Sequence, residues 1–303
     1  MKREAASGFT YLPARTLESL KGIELVARSL VEGALLGLHR SPYHGFSSEF
    51  AGDRKYAPGD SIRYLDWKAL ARSGKYYIKE FEEESNLKSY ILLDGSGSMA
   101  MSDPAGHPVK FHYACYLAAA FCYLMYQQRD ASGLFVYSDR ILRASPARAG
   151  RANLTALLGT LESLKPEGAT RNGACLRQIA EQLPRRSLAI LFSDLFSLDG
   201  DFAPALRLLR FKQCEVILFQ VLNDAELSFP YRGRVELQDL ETGQRLELEA
   251  EPVRDAYLKR LEEHNRKLRN LCDSMNFMFE TLSSSTPFER ALAAYFAKRE
   301  KLF

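Results

Sequence analysis

Asp94, Ser96 and Ser98 stand two residues apart at the end of the run Tyr90-Ile-Leu-Leu-Asp94-Gly-Ser96-Gly-Ser98-Met99. In an extended segment alternate side chains point the same way, and Gly95 and Gly97 let the backbone turn tightly, so one carboxylate and two hydroxyls converge on one point. Oxygen-only donors suit a hard cation, and a small site that keeps waters suits Mg²⁺ better than Zn²⁺, which prefers nitrogen and sulfur. Two later stretches extend the set. Leu188-Ala-Ile-Leu-Phe-Ser193-Asp194 repeats the pattern of an apolar run ending in a carboxylate, and Gly168-Ala-Thr170 places a hydroxyl just ahead of a helical segment. If the two strands are neighbours, Asp94 and Asp194 open on one crevice, and Thr170 on the intervening loop supplies a further donor. The competing reading is that these groups merely cap helices and turns.

The elements that must position these residues can be read from periodicity. Short apolar runs bounded by Gly and Ser fit strands covered on both faces, and ligands of such sheets sit just past the carboxyl ends of strands. Strand runs at 90–94, 133–137, 188–194 and 215–221 alternate with helical patterns at 111–128, 153–164, 173–183 and 202–210. Alternation of this kind implies parallel pairing with right-handed crossovers. Ser138-Asp-Arg140 is too short a link for anything but an antiparallel hairpin, so Ile141-Leu-Arg143 is expected to form an antiparallel edge strand. The expected fold is a doubly wound α/β domain.

Residues 234–240 and 245–249 alternate apolar and polar residues about Glu241-Thr-Gly-Gln244, which predicts a half-exposed hairpin appended to the main sheet. A helix follows from Pro252 to Met275, with a packed His264 on its apolar stripe. A strand over 277–282 and a helix entered through the capping box Thr286-Pro-Phe-Glu289 close the chain. Upstream, Thr16 to His39 carries apolar residues three or four apart, an amphipathic helix expected to pack on the rest of its own region. Residues 76–81 read as a strand. The segment between them gathers Arg54, Asp60, Arg63, Asp66 and Arg72 around Trp67, the only tryptophan, as a network of ion pairs about an aromatic anchor or a docking surface. Two parts are thus expected: residues 1–87 as an N-terminal extension, and 88–303 as the α/β domain with a hairpin insertion at about 232–250.

Composition narrows the function classes. The chain has 303 residues, 46% hydrophobic and 26% charged, and a net charge of +3, too small a surplus for a nucleic-acid footprint by itself. Arg140, Arg143, Arg148 and Arg151 form a local basic cluster able to meet phosphates or an acidic protein, though such clusters are commonly solvated faces. The five cysteines lack paired spacing and sit among apolar neighbours, which fits buried thiols in a reducing cytosol. No apolar run follows Met1, so no signal peptide is expected, and Phe111 to Tyr126 is shorter than the ~20 residues of a spanning helix. A cytoplasmic protein without an integral membrane segment is the expectation.

Enzyme chemistry finds little support. An aspartyl-phosphate phosphatase wants a second Asp two residues after its nucleophile, where this chain has Ser96. A serine-hydrolase elbow would need Gly where Asp94 stands, and no phosphate-binding G-x-x-x-x-G-K-[ST] is present. Metal-assisted hydrolysis of phosphoesters is the one enzymatic alternative left open.

Asp94-x-Ser96-x-Ser98, then Gly168-x-Thr170, then Asp194 resembles the metal-ion-dependent adhesion site of von Willebrand factor A domains over roughly residues 88 to 224. Arg54-Lys-Tyr56-Ala-Pro-Gly59-Asp60-Ser-Ile-Arg63-Tyr-Leu-Asp66-Trp67-Lys-Ala-Leu-Ala71-Arg72 looks like the signature of the domain of unknown function 58 family, whose members are similar to those domains. The resemblance implies a von Willebrand factor A-like sheet, mostly parallel with one antiparallel edge strand. It also implies that Ser96, Ser98 and Thr170 bind Mg²⁺, or another divalent cation, directly, with Asp94 and Asp194 acting through waters. An open position on the cation then accepts an Asp or Glu of a client protein. Family members are commonly associated with MoxR-type AAA ATPases, which implies such a partner. The function expected on this basis is a non-enzymatic Mg²⁺-dependent protein-binding adapter, with no catalytic residues and no nucleic acid bound. Many relatives carry membrane helices ahead of the signature, and none is read here.

Overall fold

The computed structural model of the chain describes residues 22–39, 54–55, 76–78, 87–102 and 108–300. The network about Trp67 lies outside them, and of the strand expected over 76–81 the described part is Tyr77–Ile78 (β2), paired antiparallel with Arg54–Lys55 (β1).

The organising strand is β3, Lys88–Asp94, buried from Ser89 to its end. It runs parallel to β4 (Ala131–Tyr137) on one side and to β6 (Leu188–Ser193) on the other; β7 (Glu215–Leu222) and β10 (Met278–Ser283) continue outward from β6 in parallel. Beyond β4 the edge is β5, Ile141–Arg148, antiparallel with register shifts near Ser132 and Val136. The six-stranded order is therefore β10-β7-β6-β3-β4-β5, the doubly wound, mostly parallel sheet expected, with its antiparallel edge. Bulges, Pro146, Arg143 and Arg148 mark that edge strand, features that discourage further pairing.

Strand side chains alternate between two apolar layers, as the pleat requires. Ile91 and Leu93 join one core with Ile190, Phe192, Ile217 and Phe219, covered by α1 (Ile23–His39), α2 (Lys110–Gln127), α3 (Arg151–Ser163) and α8 (Phe288–Glu300). Tyr90 and Leu92 join the other with Leu191 and Leu218, covered by α4 (Asn172–Gln182), α5 (Phe202–Phe211) and α7 (Ala250–Ser274). The α2 helix is apolar nearly all round because it is covered nearly all round: Tyr113 stacks on Phe288 at 4.4 Å between ring centroids, and Phe121 meets Tyr295 edge-on at 5.2 Å. None of the described helices is long and apolar enough to cross a membrane. All five cysteines are free and buried. Burial pushes the Cys122 thiol up to about 12 and Cys175 to about 11.

Three local expectations are corrected. Among the described residues the α1 stripe packs on α2, α3 and α8, elements of the α/β domain, because Val26, Ala27, Leu30 and Val31 belong to the sheet's first core. The α7 helix begins at Ala250, two residues ahead of Pro252, which the first turn tolerates because its missing N–H has no partner to lose there. At α8 the Thr286 hydroxyl accepts from the Ser283 amide, and Glu289 Oε2 is buried without a hydrogen-bond partner, so the capping box read at Thr286 is not what forms. A reciprocal box forms instead at the five-residue helix α6 (Asp224–Ser228), where Asn223 accepts from Ala225 N–H and Glu226 from Asn223 N–H. The hairpin β8 (Arg234–Gln238) and β9 (Arg245–Glu249) forms as a separate two-stranded sheet between α6 and α7.

Candidate functional site

After β3 the chain turns to β4 and β5 on one side, and it returns to build β6, β7 and β10 on the other. The reversal falls between β3 and β6, and the crevice beyond their carboxyl ends is where open α/β sheets hold ligands. Asp94 ends β3 there and is fully buried. Its Oδ1 accepts the Ser96 amide at 2.9 Å, and its Oδ2 accepts the hydroxyl of Ser193, the last residue of β6, at 2.6 Å. Burial, and then the charge of Asp194, hold the Asp94 carboxyl well above the usual carboxylate range, with the Ser193 and Ser96 hydrogen bonds working against that rise. The Ser96 and Ser98 hydroxyls lie 3.0 Å apart at the start of a single 3₁₀ turn, Gly97–Ala100.

The loop ahead of α4 is zipped onto this turn. Gly97 N–H donates to Gly168 O at 2.8 Å and Glu167 N–H to Gly95 O at 2.8 Å, which brings Thr170 to the crevice. A Cβ on Gly97 would lie 2.6 Å from the carbonyl oxygen of Leu240 and 3.2 Å from that of Gly168, so the position must be glycine for the two backbones to approach. Leu240 belongs to the turn of the β8–β9 hairpin, and the next residue enters the site. Glu241 accepts from Thr170 twice, from its amide at 2.9 Å and its hydroxyl at 2.5 Å.

Asp194 occupies the mouth of β6 as expected, yet its carboxylate is shared. Its Oδ2 lies 3.0 Å from Nζ of Lys110, and Lys110 Nζ also contacts Glu226 at 2.7 Å. The Lys110 side chain is 0% exposed. Burial by itself lowers a lysine, but the two carboxylates outweigh it and hold the ammonium above its ordinary value. Burial raises the Glu226 carboxyl, and Lys110 opposes that rise. Leu195 then turns the chain at φ 55°, held by a contact of 2.8 Å between its carbonyl and His264 Nε2, and Phe196 stands 39% exposed at the rim. His264 is thus a packed residue, as expected. Beneath the crevice Asn172 accepts from Tyr137 OH at 2.9 Å, and Gln220 donates to Asp194 O at 3.1 Å, fixing the strand ends relative to each other.

The structure therefore gathers Asp94, Ser96, Ser98, Thr170 and Asp194 at the carboxyl end of the sheet, and it adds Lys110, Glu226 and Glu241. Among the described residues no group of three or more His, Cys, Asp or Glu side chains is placed to hold a metal, so a cation here would rest chiefly on hydroxyl oxygens. The donor set fits a hard cation: it is oxygen-only, and the buried Asp94 carboxyl is met by hydrogen bonds rather than by a cationic side chain. Asp194 fits less simply, since Lys110 already balances it. Lys110 carries a sequence signal of its own: it is the lone charge at the start of the uncharged run to Tyr126, costly unless paired.

An α/β protein with an oxygen-lined cluster at its topological switch point is the class these features define. The chain belongs to the family described as "Protein of unknown function DUF58", whose model matches residues 52–267. It is 26% identical over 250 residues to the uncharacterized protein Rv1480 of Mycobacterium tuberculosis, covering 81% of this chain and 78% of that one. It is 38% identical over 64 residues to the uncharacterized protein YeaD of Bacillus subtilis, covering 21% of this chain and 16% of that one. Among solved structures it is similar to the conserved hypothetical protein BatB from Bacteroides thetaiotaomicron, with a TM-score of 0.49 and 16% identity over 71% of this chain and 99% of that one. It is also similar to the SpRpn10 VWA domain, with a TM-score of 0.42 and 14% identity over 68% and 93%.

Proposed function

We propose that the chain is a non-enzymatic protein-binding module that captures an acidic side chain of a partner through a divalent cation, Mg²⁺ by the chemistry of the donors. Ser96, Ser98 and Thr170 would hold the cation, with Asp94 behind them and Asp194 tempered by Lys110. When bound, the cation supplies an electrophilic contact for a carboxylate. The observation that carries this reading is the double contact of a carboxylate, that of Glu241, with the amide and hydroxyl of Thr170: this crevice accommodates such a group within its own fold. The half-exposed Phe196 at the rim offers the kind of aromatic anchor that interfaces favour. A MoxR-type AAA ATPase as the working partner, acting on a client that offers Asp or Glu, is proposed from the family resemblance.

A nucleophilic role for Asp94 is disfavoured by its full burial beneath Ser96 and Ser193. Nucleic-acid binding is disfavoured because Arg140 pairs with Asp139 and Arg151 with Glu24, which spends part of the basic cluster's charge. The test is a pull-down from cell extract with Mg²⁺ or with EDTA, comparing the wild type with Asp94→Ala. A partner retained only by the wild type with Mg²⁺ is expected; equal retention in all arms would remove the metal-mediated mechanism.

A further inference from the structure

The β8–β9 hairpin is an arm built around no core of its own. Leu240 and Leu246 are 48% and 60% exposed, and the strands carry cross-strand ion pairs, Arg245 with Glu236 and Arg234 with Glu247, on open faces. Its base is tied to α7: Glu251 accepts from Gly233 N–H, and Arg254 donates to the carbonyls of Phe229 and Tyr231. An isolated two-stranded hairpin is marginally stable in water, so the tip needs a purpose-built shape and a seat. It has both. Asp239 accepts from the amides of Glu241 and Thr242 at 2.8 and 3.3 Å and from the Thr242 hydroxyl at 2.7 Å, and Gly243 takes φ 73° to complete the turn. The seat is the bare backbone of Gly97, against which Leu240 O rests.

We propose that Glu241 is a built-in ligand of the site: the hairpin tip holds, in cis, the position that a partner's carboxylate takes. The inference rests on the reading under Proposed function and adds what regulates it. Both Glu241 oxygens engage Thr170, one of the three hydroxyl residues of the donor set, from 71 residues away in sequence. Such a placement follows from the stapled turn rather than from chance proximity of a mobile side chain. A carboxylate arriving from outside must displace Glu241. The partner it fits is therefore a protein presenting Asp or Glu on a projection as narrow as a hairpin tip, and capture requires the arm to lift away.

The experiment compares the full chain with Glu241→Gln and with a variant whose turn 239–244 is replaced by Asn-Gly. Two readouts are taken: Mn²⁺ affinity by electron paramagnetic resonance, and anisotropy of a fluorescein-labelled pentapeptide with one central Glu, its Gln counterpart as control. Loss of a tethered competitor is expected to strengthen capture of the Glu peptide by about 10-fold or more in Mg²⁺ in both variants. EDTA should abolish that capture, the Gln peptide should not bind, and Mn²⁺ affinity without peptide should fall. This crossed signature, weaker metal and stronger peptide, is not produced by a hairpin that merely packs. Mn²⁺ bound by the wild type and lost in Asp94→Ala, with peptide capture unchanged by both hairpin variants, overturns the built-in ligand alone. No Mn²⁺ binding by the wild type overturns the metal reading and this inference with it.

Discussion

Lys110 is where single-residue energetics decide most about the site. It stands at the first position of α2, the end of a helix where the dipole disfavours a cation, and it is buried, so two costs must be offset by Asp194 and Glu226. Removing one member of such a set leaves the others charged and unpaired. Lys110→Met is expected to destabilise the fold by about 3–5 kcal/mol, read as a lower urea midpoint at unchanged slope. Adding Glu226→Gln should recover part of the loss, because one stranded charge is then gone; a single variant as stable as the wild type would show that the triad contributes nothing net. Asp94 and Asp194 were legible as strand-end carboxylates because an apolar run stopping at an acid is a local pattern. The partners of Lys110 and Glu241 are not legible in the sequence, since they lie 84 and 71 residues away and only the folded topology brings them together.

Among the elements, the hairpin was found by its two-residue alternation and placed correctly as an appendage, but where its tip points is a property of α7 and the base turn, not of the hairpin's own residues. Gly97 tests the seating. Alanine there puts a methyl group 2.6 Å from Leu240 O, against backbone that cannot rotate away, so the tip must rise while both apolar layers stay intact. For Gly97→Ala the expectation is faster tryptic cleavage after Arg234 or Arg245, with the melting temperature lowered by no more than about 4 °C, the shift that about 1 kcal/mol produces in a large domain. Unchanged cleavage would mean that the tip is not seated on this glycine. The sheet order was readable from alternating strand and helix patterns because both periodicities are driven by burial. The short helix α6 was not, since five residues give too little periodicity to see, although Asn223-Asp-Ala-Glu226 carries the same spacing as Thr286-Pro-Phe-Glu289, where no box forms.

For the whole molecule, the question is what α1 does so far from the sheet in sequence. A helix expected to serve its own region instead covers α2, inserting Ile23, Val26, Leu30 and Val31 into the layer that also holds Ile91, Leu93 and Phe121, while Glu24 pairs with Arg151 of α3. The amphipathic stripe could be read from spacing, but its partner could not, because every apolar face in the chain offers the same chemistry. Burying four such side chains contributes roughly 6 kcal/mol or more at about 1.5 kcal/mol each, against a total stability of about 5–15 kcal/mol for a typical protein. The exposed surface pair Arg151–Glu24 adds little beside that. Deleting residues 1–39 should therefore not trim an appendage but uncover α2, a helix that is apolar nearly all round. The shortened chain is expected to lose its cooperative thermal transition and to bind a hydrophobic dye at temperatures where the full chain does not. A truncated protein that melts cooperatively within about 2 °C of the full chain would show that α2 is covered well enough by α3 and α8, and that α1 adds less than about 1 kcal/mol.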